Sequence, residues 1–344
     1  MNNQRHHIMK VTKRILMTLL TLVIFTGAWA IEQDADGYYL IANADDWDAF
    51  ATVVQSTPTA NAKLTADIAT VTTMLGSESK EFAGVFDGKG HTLTVNISGS
   101  SKFVAPFHYV KGGTIKNLRV EGTVSSSNIH MSGLIGRAYD EVSIENCVVA
   151  VNIQMYDDYA GGFVGNGGSK TYGGPSKVVM RNCVFVGSIT GMNSTRDKVS
   201  AFWGWGLSTP VFINCLENGS YTNVSGFNPF MFEGTEKQNT ETTANSYYMH
   251  GSITLEGVSD ASSMSNEDLV NLLGDAWELD PETNEPILKI FASDNAISTG
   301  IDSGQRSKGL GHRDGWYTID GRKLQGKPMR KGVYINNGQK TVVQ

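Results

Sequence analysis

The sequence predicts an all-β protein, a parallel β-helix (β-solenoid) with short helical cap elements and a small C-terminal β tail. Two motifs that alternate and recur about every 30 residues carry this prediction. Between them lie short runs of β-branched residues, which are too short for helices and are bounded by turn residues. The chain has 344 residues, of which 40% are hydrophobic, and this is enough to bury a sizeable core.

The first motif is a tetrad that contains an apolar residue, a variable residue, asparagine and a second apolar residue. Its copies are Ile115-Lys116-Asn117-Leu118, Ile144-Glu145-Asn146-Cys147, Met180-Arg181-Asn182-Cys183 and Phe212-Ile213-Asn214-Cys215. Matching residues of successive β-helix turns stack about 4.8 Å apart. We therefore expect Asn117, Asn146, Asn182 and Asn214 to form a ladder at a turn. Asparagine tolerates positive φ, and its amide can bond to the next amide in the ladder.

The second motif is rich in glycine. Its copies are Ser132-Gly133-Leu134-Ile135-Gly136, Gly161-Gly162-Phe163-Val164-Gly165 and Ser200-Ala201-Phe202-Trp203-Gly204. Trp203 falls in an apolar column of this alignment and is expected to be packed. Trp205 falls in the polar column of Arg137 and Asn166 and is expected to be exposed.

The N-terminus predicts export. Lys10, Lys13 and Arg14 precede an apolar run over 15–25, and Ala28-Trp29-Ala30 has the pattern of a cleavage site. Residues 1–30 are thus predicted to be a signal peptide, since the run is shorter than the roughly 20 residues that span a bilayer. The alternative is a short membrane anchor. We expect an extracellular or outer-membrane surface location, and no transmembrane segment after signal removal.

The charge balance argues against nucleic acid as a partner. The chain has 28 basic and 34 acidic residues, and removal of residues 1–30 leaves 24 basic and 34 acidic ones. Such a balance gives no general attraction for phosphate backbones or anionic lipid. No cofactor is predicted.

Helical elements are expected on both sides of the repeats, 81–260, where they would cover exposed strand edges. In the N-terminal cap region, 31–80, Asn43 followed by Asp46 predicts a helix start. In the C-terminal helical segment, 261–297, Ser265 followed by Asp268 predicts another. The apolar residues expected on the two helices are Trp47, Phe50, Ala51 and Val54, and Leu269, Leu272, Leu273 and Trp277.

The end of the chain is predicted to be a separate small unit. Residues 298–315 are polar and rich in glycine and serine, and they are predicted to be a linker. Residues 316–344 form the predicted β tail, with strands over 316–319, 333–335 and 341–343. The tail is too small to fold robustly by itself, so a role in recognition or docking is expected.

Several motifs together resemble the GLUG-motif β-helix proteins, secreted surface proteins of Bacteroides–Prevotella-type bacteria (Bacteroidetes). The resemblance covers about residues 37–290 and rests on Phe82-Ala83-Gly84-Val85-Phe86-Asp87-Gly88-Lys89-Gly90-His91-Thr92 and the two motifs above. The tail resembles the short sorting or attachment modules of the same bacteria through Lys331-Gly332-Val333-Tyr334 and Gly338-Gln339-Lys340. The resemblance implies an adhesin-like or glycan-associated role and contact of the tail with secretion or attachment machinery. It supplies no catalytic residues.

The three cysteines follow the repeat. Cys147, Cys183 and Cys215 are expected to form a buried ladder of small apolar residues, not a metal or redox site. Adjacent members of such a ladder lie within bridging distance, whereas Cys147 and Cys215 are too far apart. The sequence leaves open whether one adjacent pair is oxidised.

Acidic residues offer two weak candidates for catalysis. Asp87 lies close to His91 in sequence, but it belongs to a turn signal. Asp157 and Asp158 are adjacent, so as strand residues they would face opposite sides. On a loop they could help to hold Ca²⁺, although a solvated loop is the simpler interpretation. We predict no catalytic residue and no metal site.

Aromatic residues are the candidates for ligand binding, because a flat apolar ring face is a platform for a sugar ring. The candidates are Trp205, Tyr172, Tyr156 and Tyr159. The leading hypothesis is a non-catalytic, adhesin-like protein that binds glycans or host or matrix proteins. The alternatives are a polysaccharide lyase or glycoside hydrolase that uses Asp157 and Asp158, and a structural surface-layer or fimbria-associated protein.

Overall fold

The computed structural model of the chain describes residues 31–168, 176–192, 198–225, 227–232 and 240–292, and the backbone of 316–318, 332–336 and 339–343. The predicted signal peptide, the predicted linker and Tyr172 lie outside the described residues. The chain divides into two compact units, Met1–Ile297 and Ser298–Gln344.

Short strands dominate the first unit. In chain order they are β1 Tyr39–Ile41, β2 Ala62–Leu64, β3 Ile68–Val71, β4 Val85–Asp87, β5 Thr92–Gly99, β6 Phe107–Lys111, β7 Thr114–Lys116, β8 Arg119–Ser126, β9 Met131–Ser132, β10 Ile135–Tyr139, β11 Glu141–Met155, β12 Ala160–Gly161, β13 Val164–Gly167, β14 Lys177–Phe185, β15 Ser188–Gly191, β16 Val199–Ser200, β17 Trp203–Gly206, β18 Val211–Ile213, β19 Leu216–Glu217, β20 Ser220–Thr222, β21 Ser246–Tyr248, β22 Val258–Asp260, β23 Trp277–Leu279 and β24 Pro286–Leu288. The helices are α1 (Ala44–Ser56) and α2 (Asn266–Leu273), and Lys289–Phe291 forms a 3-10 turn.

Three parallel sheets contain nearly all of these strands. The largest has 15 strands, the second has the order β17-β13-β10-β6, and the third has the order β16-β12-β9. From β7 to β18 the chain visits the large, the third and the second sheet in the same order in each repeat. Strands from neighbouring repeats pair, so that matching motif residues align. The prediction of an all-β chain is confirmed.

Matching positions of the repeats also build the hydrophobic core. Phe163, Phe202 and Phe230 are fully buried, and their rings stack with centroids 4.9 and 4.7 Å apart. Burial of such a side chain contributes roughly 1.5–3 kcal/mol. Each repeat adds a similar set of buried residues. The stacking of these side chains on those of the neighbouring repeat stabilises the parallel pairing of the strands.

The N-terminal helix begins and packs as the sequence predicts. Asn43 Oδ1 accepts a hydrogen bond from Asp46 N at 3.0 Å, which caps α1. Trp47 is fully buried and meets the rings of Phe86 and Phe107 edge-on, at 5.8 and 5.7 Å. The helix therefore packs its apolar face on the core of the first repeats.

The C-terminal segment is less helical than predicted. Ser265 Oγ accepts from Asp268 N at 3.1 Å, as expected, but α2 is only eight residues long. Gly274 follows with φ 94, a backbone conformation that ends the helix. Trp277 lies in β23, which pairs antiparallel with β24, and Leu272 is 47% exposed. The prediction that Leu269, Leu272, Leu273 and Trp277 form the apolar face of one helix is therefore wrong for Leu272, which is exposed, and for Trp277, which lies in a strand.

The same segment packs along the side of the large sheet. Its Leu269, Leu273, Trp277 and Leu288 form one buried cluster with the sheet residues Val148, Val184, Leu216 and Tyr247. These four sheet residues are in register on neighbouring strands. At its end, the Ile290 carbonyl lies 2.9 Å from the position that a Cβ on Gly90 would take. We call residues 261–292 the returning segment.

The returning segment is therefore not the cap that the sequence predicts. At the last strands of the large sheet, between β21 and β22, it is Ile253 and Leu255 that pack against the core. Hydrophobic residues of this connection therefore help to cover the core there.

The second unit contains an antiparallel three-stranded sheet with the strands β25 (Trp316–Thr318), β26 (Gly332–Asn336) and β27 (Gln339–Val343). These strands coincide with those expected in the tail. Within the described part of the chain, no helix is long and apolar enough to cross a membrane.

Candidate functional site

The asparagines of the tetrads stand one above the other, with Asn117 and Asn214 in bends and Asn146 and Asn182 within β11 and β14. Asn117, Asn146, Asn182 and Asn214 all have φ between 49 and 54°. Each asparagine after the first donates a hydrogen bond from Nδ2 to Oδ1 of the asparagine before it. The distances are 2.9 Å from Asn146 to Asn117, 2.9 Å from Asn182 to Asn146 and 3.2 Å from Asn214 to Asn182. Asn245 extends this Asn ladder by a bond of 3.4 Å. The ladder fixes the register of the repeats.

Asp87 is the first member of the ladder. Its Oδ1 accepts from Asn117 Nδ2 at 2.9 Å and from Lys89 N at 3.0 Å, and its Oδ2 lies 3.2 Å from Lys89 Nζ. Burial of the carboxyl raises its pKa, but these hydrogen bonds and the Lys89 charge outweigh burial, and the net pKa is below the usual value. Asp87 is thus held ionised as a structural acceptor.

The cysteines lie next to the Asn ladder and are fully buried with free thiols. Cys147 is in register with Cys183. Burial, together with hydrogen bonding to the thiols of Cys147 and Cys215, raises the pKa of Cys183. A buried, protonated thiol is a poor nucleophile. The geometry is that of packed small side chains.

We expect the three thiols to be unreactive in the native protein, because each has no accessible surface. Ellman's reagent should label fewer than one thiol per native chain and three after denaturation. Labelling of a cysteine at native conditions, with circular dichroism unchanged, would contradict the burial. Fewer than three thiols after non-reducing denaturation would show that an adjacent pair is oxidised.

Three aromatic residues form a second ladder. Phe103, His130 and Tyr159 have φ of 66, 65 and 65°, a conformation that costs a bulky residue about 1–2 kcal/mol. The His130 ring stacks on that of Phe103 with centroids 5.5 Å apart, and it is tilted by 31° to the Tyr159 ring, with centroids 4.9 Å apart. Strain that recurs in three repeats indicates that the neighbouring structure enforces it.

This second ladder covers a column of the four-stranded sheet. Tyr109, Arg137, Asn166 and Trp205 are in register in that column. The guanidinium of Arg137 lies 4.8 Å from the centre of the Phe103 ring. The face of this ring takes the place of water beside the charged group. Arg137 and Asn166 are 4 and 2% exposed as a result.

The expectation for Trp205 is corrected by this arrangement. The sequence correctly aligns Trp205 with Arg137 and Asn166, but that column is buried under the rings, and Trp205 is half-buried. Its ring lies 5.8 Å from His130 and 6.5 Å from Tyr159. Polar residues in a column do not imply solvent when aromatic side chains fold over them. Trp203 is fully buried, as predicted.

His130 is neutral in this setting. Burial, followed by the nearby charges of Lys102 and Arg137, lowers its pKa to about 4. Its Nδ1 is buried and finds no hydrogen-bond partner among the described residues. His130 therefore acts as a stacked ring above pH 5 and not as a charged group.

The rings become more accessible along the ladder. Phe103 and His130 are 7 and 8% exposed, whereas Tyr159, Trp205 and Phe232 are half-buried. Phe232 meets the Tyr159 ring edge-on at 6.1 Å. We call these five residues the aromatic strip.

Charged groups border the accessible end of the strip. Lys198 Nζ lies 4.8 Å from the centre of the Tyr159 ring and 3.3 Å from Asp158 Oδ2. Tyr156, which is 39% exposed, and Asp157 lie on the same connection before Tyr159. Of the four predicted ligand-binding residues, the strip unites Tyr159 and Trp205. Tyr156 is not one of the five residues of the strip, and Tyr172 lies outside the described residues.

The acidic candidates make contacts within the fold. His91 Nδ1 lies 3.2 Å from Asp67 Oδ1, while Asp87 is bound in the Asn ladder. Asp158 is paired with Lys198. Among the described residues, no three His, Cys, Asp or Glu side chains lie close enough to hold a metal ion.

A charged column next to the Asn ladder was missed in the sequence. Lys63, Asp87, Lys116, Glu145 and Arg181 are in register on neighbouring strands, with alternating charge. The signal lay in the variable position of the tetrads, which holds Lys116, Glu145 and Arg181 in succession. Such cross-strand neighbours attract each other weakly at the surface.

Comparisons with protein-family models, curated proteins and solved structures find no match to this chain.

Proposed function

We propose that this chain is an exported, non-catalytic β-helix protein that binds glycans at the aromatic strip. Export rests on the signal-like N-terminus, and the tail is the part proposed to contact secretion or attachment machinery. The resemblance to GLUG-motif surface proteins agrees with an adhesin-like role at the cell surface or outside the cell.

The β-helix is supported by strand order and register. The chain visits the three parallel sheets in a fixed cycle, and each strand pairs with its counterpart in the next repeat. A chain that winds in one direction produces this pattern. Each strand then runs parallel to its counterpart in the next repeat, and a single repeat of the chain connects the two strands.

The half-buried rings of Tyr159 and Trp205 carry the proposal for the ligand. A ring that is held by its neighbours loses little side-chain freedom on binding, and the apolar part that remains accessible desolvates readily. Lys198 and Asp158 at the border supply a donor and an acceptor for hydroxyl groups. An apolar face with polar groups beside it suits a sugar ring.

We expect Tyr159→Ala and Trp205→Ala each to weaken glycan binding about tenfold, because each removes about 1.5 kcal/mol of ring contact. The mature protein is first screened on a broad glycan array, and the selected glycan is titrated by calorimetry. The same glycans are assayed for new reducing ends and unsaturated products.

Tyr38→Ala is the matched control, since Tyr38 is also half-buried with a lysine, Lys63, 5.8 Å from its ring centre. Equal loss in all three variants would argue against a site at the strip. Bond cleavage would refute the non-catalytic function. Absence of any glycan binding would favour a protein ligand or an architectural role.

A further inference from the structure

A concave surface lies on the outer face of the large sheet. Glu141, Ser143 and Glu145 of β11 and Lys177 and Arg181 of β14 form its floor, and Glu241 forms a wall. The cavity has a volume of about 450 Å³. We call this surface the charged groove.

Donors and acceptors alternate in the charged groove. Lys177 Nζ lies 2.9 Å from Glu141 Oε1, and Arg181 forms an ion pair with Glu241. Ser143 Oγ donates to Glu145 Oε1 at 2.6 Å. Glu145 and Arg181 occupy neighbouring strands in register, which places their backbones about 4.8 Å apart.

These groups are accessible to a ligand. The side chains of Glu141 and Lys177 are 77 and 48% exposed, and those of Arg181 and Glu241 are 35 and 46% exposed. Ion pairs at such exposure contribute little to stability. Rearranging them around a ligand is therefore inexpensive, and both charges of each pair remain available as hydrogen-bond partners.

The charge of the groove selects the class of ligand. Three carboxylates and two cations line it, so that a polyanion meets a small net repulsion. Hydroxyl groups both donate and accept, and they fit a surface on which carboxylates alternate with cations. The hydroxyls of Thr114 and Thr240 add two further partners at its edges.

We propose that the charged groove binds a neutral oligosaccharide chain. The hydroxyl groups of the oligosaccharide donate hydrogen bonds to Glu145 and Glu241 and accept hydrogen bonds from Arg181 and Lys177. This site lies on a different sheet from the column that the aromatic strip covers, and it does not depend on the strip.

The test titrates the full mature chain with xylohexaose, mannohexaose and cellohexaose, and with an oligogalacturonate as the acidic counterpart. We expect at least one neutral hexasaccharide to bind and to slow amide hydrogen exchange in β11 and β14. Arg181→Met should weaken that binding about tenfold, since it removes charged hydrogen bonds but keeps the side-chain stem.

Arg119→Met is the matched control. Arg119 is 36% exposed and lies 3.4 Å from Glu121, so it resembles Arg181 in exposure and pairing. Its replacement should leave the affinity for the neutral hexasaccharide and the slowed exchange in β11 and β14 unchanged. Failure of all three neutral hexasaccharides to bind, full binding by Arg181→Met, or equal binding of oligogalacturonate would overturn the proposal. Loss in Trp205→Ala with retention in Arg181→Met would remove the groove site and leave the aromatic strip as the glycan site.

Discussion

Replacing Gly165 by alanine is expected to destabilise the protein by about 3 kcal/mol. A Cβ at this position would lie 2.1 Å from the carbonyl oxygen of His130 and 2.9 Å from that of Met131. Both contacts are with backbone, which cannot rotate away as a side chain can. The substitution should therefore displace His130 from the aromatic strip as well as lower the free energy of unfolding, measured by urea titration.

Gly37→Ala separates this contact from the general effect of adding a methyl group. Gly37 has φ 81 and no atom within 4 Å of the added Cβ, so only the backbone conformation is penalised, by about 1 kcal/mol. If both variants unfolded at the same urea concentration, the close approach of the His130 carbonyl to Gly165 would be refuted.

Replacing Asn146 by alanine is expected to cost a similar amount, about 3 kcal/mol. The change removes the bond from Asn146 Nδ2 to Asn117 Oδ1 and the bond from Asn182 Nδ2 to Asn146 Oδ1, each 2.9 Å long. It also forces alanine into φ 51. The loss should appear in the free energy of unfolding measured by guanidinium titration.

Asn146→Gly divides that loss into two parts. Glycine accepts positive φ without strain, so the glycine variant should lose only the two amide bonds and recover about 1 kcal/mol relative to alanine. An alanine variant as stable as the native chain would show that the Asn ladder does not stabilise the repeats.

The sequence predicts those features that depend on repetition. The Asn ladder and the cysteine column follow from identical residues at matching positions of the motif, because parallel pairing brings matching positions of neighbouring repeats into contact. The start of α1 follows from Asn43 and Asp46, since a cap needs only residues that are neighbours in the chain.

The features that were missed depend on contacts between different positions of the repeat. Phe103, His130 and Tyr159 share no residue type, so their common positive φ leaves no visible pattern in the sequence. Their rings cover the column of Trp205, and the exposure of Trp205 could not be judged from that column alone. The returning segment escaped prediction for the same reason, as its side chains meet strands far away in sequence.

The returning segment gives the first unit a property that simple repeat proteins lack. In a repeat array each repeat contacts only its neighbours, and the last one can fray without disturbing the first. Here Leu269 and Trp277 are buried with a column that crosses the later repeats, and Ile290 reaches back to Gly90. Fraying of the last repeat must therefore detach a clasp that also holds earlier ones. The clasp joins parts of the chain that are far apart in sequence, so we expect it to close late in folding and to make the repeats that it contacts unfold together.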